Sequence, residues 1–140
     1  MHWHPWRDLR ERVGVRLVVG ALPPGVWGAT DGVRTIWLHD RLTQAERRST
    51  LAHELVHHDL GHQGCQPGAV EGRVRAAAAR RLLPDVHQVA DALAWAHTTQ
   101  EAAEDLWVDH DTLQARLEHL TAGERRVIEE RVERGSQWGT

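Results

Sequence analysis

Thr50-Leu51-Ala52-His53-Glu54-Leu55-Val56-His57-His58-Asp59-Leu60-Gly61 is the stretch that decides how this chain is read. It contains His53-Glu54-x-x-His57. Residues four apart share one face of a helix, one turn above the other. Two imidazoles on that face can reach one metal ion, with Zn–N bonds of about 2.0–2.1 Å. Glu54 follows the first imidazole directly. It therefore points beside such a metal and can take a proton from the metal's water. In a chain of this composition the bare pattern arises by chance with a probability of about 0.07, so its context must carry it. Leu51, Ala52, Leu55, Val56 and Leu60 make the remaining sides of the segment apolar. That is the pattern of a half-buried helix with one polar face on a cleft.

Working outward, Thr43-x-x-Glu46 is a capping box that starts this helix at about residue 44. Gly61 is placed to end it. Before it, His4-Pro5-Trp6 opens a short helix with Trp6, Leu9 and Val13 as its apolar stripe, stopped by Gly14. Residues 15–19 read as a strand, residues 20–25 as a loop broken by Pro23 and Pro24, and residues 26–30 as a second strand. Asp31-Gly32 is a two-residue hairpin turn by composition. Residues 33–39 alternate, with Ile36 and Leu38 on one face and Thr35, Trp37 and His39 on the other. The expectation is a small three-stranded antiparallel sheet packed on the His-bearing helix.

Downstream, His62 to Gly68 is a turn-rich connection, followed by a helix over residues 69–83 that Pro84 stops. From Asp85 onward the signals are helical. Caps at Asp85, Thr98, Asp109 or Asp111, and Thr121 predict four further helices. The fold class is α+β, with an all-helical C-terminal part.

The chain has 140 residues, enough for one domain over 1–134. That domain divides into an N-terminal helix and sheet (1–42), the metal-site helices (43–84) and a helical tail (85–134), leaving 135–140 as a flexible tail. The formal net charge is −3, so bulk electrostatics point to neither nucleic acid nor membrane. No apolar run approaches the ~20 residues of a membrane span, and residues 1–8 hold no apolar signal core. Cys65 is the single cysteine and cannot form an internal disulfide. The cytoplasm is the default compartment. All 17 basic residues are Arg, and seven Trp stand in for the missing Phe and Tyr.

A hydrolytic zinc needs three protein ligands and one open position. His58 lies about 100° round the helix from His57 and faces elsewhere, and Asp59 is similarly misplaced. Cys65 would bind as a thiolate and lower the electrophilicity of the metal. Glu71 is the one carboxylate between Asp59 and Asp85, early on the next helix, after a Gly/Pro turn that can fold that helix back. It is the preferred third ligand, with His62 next and the others behind.

The segment Arg48-Ser-Thr-Leu-Ala-His53-Glu54-Leu-Val-His57-His58, followed by Glu71 and by Ala78-Ala79-x-x-Leu82-Leu83-Pro84, resembles the ImmA/IrrE family of zinc metallopeptidases. Ala103, Leu106, Val108, Thr112, Leu113, Arg116 and Leu117 match the family's small helical tail. The likeness covers residues 43–120 and is nearest in style to compact actinobacterial or phage-encoded members. It implies a zincin-like fold and one Zn2+ ion. It implies His53, His57 and Glu71 as metal ligands and Glu54 as the catalytic base. It also implies a protein substrate, often a helix-turn-helix repressor, in a phage, mobile-element or stress switch. One departure matters: Arg75 stands where the family often has Asn or Asp, which removes a partner for a ligand imidazole. An alternative from another class is a catalytically weak zinc protein that regulates by binding a repressor or antitoxin.

For the second electrophile of such a site, His58, His62 and Arg75 are candidates. Residues 34–39 form a strand that could hold an extended substrate by its edge. Residues 100–120 read helix-turn-helix, presenting His110, Gln114, Arg116 and His119. The flanking Asp109, Asp111 and Glu118 make that face too acidic for phosphate, so nucleic acid is not an expected partner.

Overall fold

Thr43 and Glu46 do what their spacing promises. The Glu46 amide donates to Thr43 Oγ1 at 3.2 Å, and Glu46 Oε1 accepts from the Thr43 amide at 2.9 Å. In the computed structural model, which describes residues 3–64 and 66–138, this cap starts α2 (Gln44–Asp59). Ahead of it come α1 (Pro5–Glu11), β1 (Arg16–Gly20), β2 (Gly28–Thr30) and β3 (Thr35–His39). Behind it come α3 (Gly68–Leu82), α4 (Val86–Trp95), α5 (Thr99–Asp105), α6 (His110–Glu118) and α7 (Ala122–Trp138). Met1, His2, Cys65, Gly139 and Thr140 lie outside the described residues. The Cys65 alternative and the end of the expected tail fall there.

Three i,i+4 pairs divide α2 into faces. Leu51 and Leu55 pack with Leu9, Ile36 and Leu38, a core between α2, α1 and the sheet. Ala52 and Val56 turn the other way, into a core with Val74, Ala78, Leu82, Val89 and Leu113 from the helical part. His53 and His57 occupy the third face. Two cores thus grip the helix that carries the imidazoles.

The sheet corrects one expectation. It is mixed, in the order β1-β3-β2. β2 and β3 pair antiparallel, whereas β1 and β3 are parallel, with Arg16 opposite Thr35 and Gly20 opposite His39. The loop holding Pro23 and Pro24 carries the chain past β3. The hairpin then returns β3 between the other two strands, running the same way as β1. Alternation tells which face a residue takes but not which strand lies beside it. The run 15–19 therefore became an edge, and Val18 and Val19 are exposed.

The hairpin turn also differs from the two-residue form. Asp31 Oδ1 accepts from the amides of Val33, Arg34 and Thr35 at 2.8–3.0 Å. Those three bonds, Thr35 foremost, lower the Asp31 carboxyl to about 2. The result is a wider loop, closed by a carboxylate and by Asp31 N donating to Thr35 O at 3.2 Å. Val13 corrects a third expectation. α1 ends at Glu11 and Val13 is fully exposed, so the stripe stops at Leu9.

In the helical part, α4 lies along α7 and α3 along α6. Arg116 is 1% exposed. Its Nε donates to Leu83 O at 2.7 Å, and its Nη2 pairs with Glu124 Oε2 at 2.6 Å. It sits inside, not on the exposed face of α6 as the helix-turn-helix reading required. Among the described residues, no helix is long and apolar enough to cross a membrane.

Candidate metal centre and active site

α3 folds back against α2, and this sets Glu71 opposite the imidazoles. His53 Nε2 and His57 Nε2 are 3.1 Å apart, and each lies 3.1 Å from Glu71 Oε2. A tetrahedral zinc with bonds of about 2.0–2.1 Å spaces its ligand atoms roughly 3.3–3.4 Å apart. Three lone-pair atoms this close repel one another unless protons or a cation sit among them. The donor set therefore fits a metal ion, and these three residues could hold one. Burial, reinforced by His57, pushes His53 below the ordinary imidazole value. That favours the neutral ring that coordination needs. Burial works to raise Glu71, but His57 and then His53 outweigh it and hold its carboxyl below its usual range.

Glu54 is 7% exposed. Burial, then the charge of Glu71, pushes its carboxyl up to about 8. A neighbouring cation reverses that logic and favours the carboxylate. Glu54 lines a cleft of about 520 Å³ together with His53, His57, Glu71 and Arg75. The opposite wall is Gly28, Ala29 and Thr30 of β2.

The structure separates the other candidates. His58 Nδ1 accepts from Arg12 at 2.7 Å, and its Nε2 reaches Val33 O at 3.0 Å, so it serves the hairpin. Asp59 pairs with Arg12 and Arg81. His62 meets the far side of His57, Nδ1 to Nδ1, at 2.9 Å. Of the three proposed electrophiles, Arg75 is the one on the cleft wall. The strand available for edge pairing also changes. β3 is paired on both sides, so residues 34–39 have no free edge. β2 has one, and it borders the cleft.

A family model described as the IrrE N-terminal-like domain, Peptidase_M78, matches residues 10–121. The chain belongs to this family. No curated protein and no solved structure matches it. Membership in Peptidase_M78 makes the chain a member of a metallopeptidase family, with a protein as its class of substrate. The convergence of His53, His57 and Glu71 supplies a place for the metal ion that the family implies.

Gly28 is a site residue that sequence reasoning passed over as part of a strand. A Cβ there would lie 2.6 Å from Thr50 Cγ2, 3.1 Å from Trp37 O and 3.2 Å from Glu54 Cγ. Only glycine lets β2 approach α2 this closely. Gly28→Ala is expected to cost about 1–3 kcal/mol through overpacking, measured by urea denaturation. Thr50→Ser removes the nearest methyl and should recover part of the loss in the double variant. Gly28→Ala with wild-type stability would show that the two elements are not in contact.

Proposed function

We propose that this chain is a zinc-dependent endopeptidase that cuts a regulatory protein at a specific site. The substrate class is a repressor of the helix-turn-helix kind, and the setting a phage, mobile-element or stress switch. The observation that carries the reading is the meeting of His53, His57 and Glu71 within 3.1 Å, with buried Glu54 beside them on the cleft. His53, His57 and Glu71 would hold the zinc, a His₂Glu set known from hydrolytic sites. Bound there, zinc supplies a Lewis acid that acidifies water and polarises a peptide carbonyl. Glu54 takes the proton of the attacking water and returns it to the leaving amine. The free edge of β2 aligns an extended substrate by main-chain bonds. Arg75, which lines the same cleft, would hold developing negative charge on the carbonyl oxygen.

Zinc titration tests the site first. The wild type is expected to bind one Zn2+ per chain. Glu71→Ala should weaken binding by more than the about 10–100-fold typical of losing an outer-shell partner. Unaltered affinity in that variant removes Glu71 from the set. Incubating the zinc-loaded protein with a helix-turn-helix repressor from the same genetic locus, followed by mass spectrometry, tests the substrate. Two defined fragments, absent after chelation, are the expected result. An intact repressor at equimolar enzyme defeats the substrate assignment.

A further inference from the structure

His62 is neither a member of the three-residue set nor on the cleft wall, yet the fold takes trouble to place it. α2 ends in a Schellman motif. Gly61 has φ +69°, its amide donates to His58 O at 3.1 Å, and the His62 amide donates to His57 O at 3.0 Å. In that motif the second residue past the cap folds back over the last turn, where it commonly makes an apolar contact. Here the two residues brought together are His62 and His57. Their rings lie 5.2 Å apart between centroids, tilted by 60°, with Nδ1 to Nδ1 at 2.9 Å. The hairpin tip closes over the same loop, since a Cβ on Gly32 would sit 2.5 Å from His62 O.

We propose that His62 is the positioning residue for His57. The His57 Nδ1–H donates to His62 Nδ1 and so fixes Nε2 of His57 as the nitrogen turned toward His53 and Glu71. This rests on the metal reading of the site. A neutral imidazole carries one N–H. If Nε2 of His57 is to offer a lone pair to a cation, the hydrogen must be on Nδ1, and it needs an acceptor there. His62 supplies that acceptor and thereby holds its own hydrogen on Nε2. The bond settles both the tautomer and the rotation of the His57 ring. The role usually falls to a carboxylate, a carbonyl or water; a second imidazole fills it here without adding charge.

Two substitutions separate this role from mere packing. His62→Asn keeps an oxygen acceptor at the position of Nδ1. His62→Leu fills similar space, supplies the apolar side chain usual at this place in the motif and has no acceptor. Zn2+ affinity is measured by competition with a chromophoric chelator, and thermal unfolding of the metal-free proteins checks the fold. His62→Leu is expected to bind Zn2+ 10–100-fold more weakly than wild type, and His62→Asn within about threefold of it. Both metal-free variants should unfold near the wild-type midpoint. A His62→Leu protein with wild-type affinity overturns the proposal, and so does His62→Asn as weak as His62→Leu. A wild type that takes up no Zn2+ sinks the metal reading itself, and the role of His62 with it.

Discussion

Glu54→Gln should lower the rate of peptide cleavage by about 10²–10⁴-fold, the usual share of a positioned general base, and leave Zn2+ affinity near wild type. Gln has the shape of Glu but cannot accept the proton of the attacking water. Glu54 is not one of the three convergent donors, which are His53, His57 and Glu71. Its removal therefore leaves those three donors whole. The side chain is buried, and burial and Glu71 both disfavour its charge in the metal-free chain, so a neutral replacement is well tolerated by the fold. Cleavage rate and metal content are the two measurements. A variant that still cuts at the wild-type rate removes Glu54 from the chemistry. If Glu54→Gln also preserves the regulatory effect in cells, the chain works by binding its partner rather than by cutting it.

The second large effect is on stability. Glu124→Ala is expected to cost about 3–5 kcal/mol, the loss seen when a buried charge is left without its partner. Arg116 is 1% exposed and pairs with Glu124 Oε2 at 2.6 Å. The same carboxylate accepts from the Thr121 amide at 3.0 Å to start α7, and pairs with Arg80 at 2.9 Å on α3. One side chain thus joins α3, α6 and α7. Those bonds, from Arg80 first and then Arg116, hold the Glu124 carboxyl far below its ordinary value. A carboxyl depressed on folding contributes stability above its unfolded pKa of about 4.5. That contribution fades as the pH falls from there toward the depressed value. The wild type should therefore lose its advantage over Glu124→Ala in acid. Arg116→Met combined with Glu124→Ala should cost less than the sum of the two single changes, as expected of a coupled pair. Urea denaturation at pH 7 and in acid measures all of this, and additive single effects would show that the pair is not coupled.

The face that pairs His53 with His57 was legible because it is local. A capping box, an i,i+4 pair and a glycine stop each act within a few residues, and α2 followed them from Thr43 to Gly61. The approach of Glu71 to the imidazoles was legible too, since it is the lone carboxylate after a turn that brings the next helix back. What failed was long-range. Nothing in residues 15–39 announces that β3 lies between β1 and β2, so the strand with a free edge was misidentified. Arg116 read as a surface cation because its partners, Leu83 and Glu124, come from elsewhere in the chain. His62 fell between the two cases. Gly61 was recognised as the stop, and a glycine in that place brings the residue after it onto the last helical turn, at His57. Following the stop one residue further would have paired the two imidazoles.

The free edge of β2 bears on which targets can be cut. Gly28 packs the strand against Thr50 and Glu54 of α2 with no room for a methyl between them, so a substrate would lie along the outer edge of β2, beside the cleft. Main-chain pairing there takes an extended segment, and an α-helix has spent its backbone bonds internally. A folded target would be attacked at the rate it opens at that segment, about tenfold slower for each 1.4 kcal/mol holding it shut. Choice of target would then lie as much in where the victim frays as in which residues it displays.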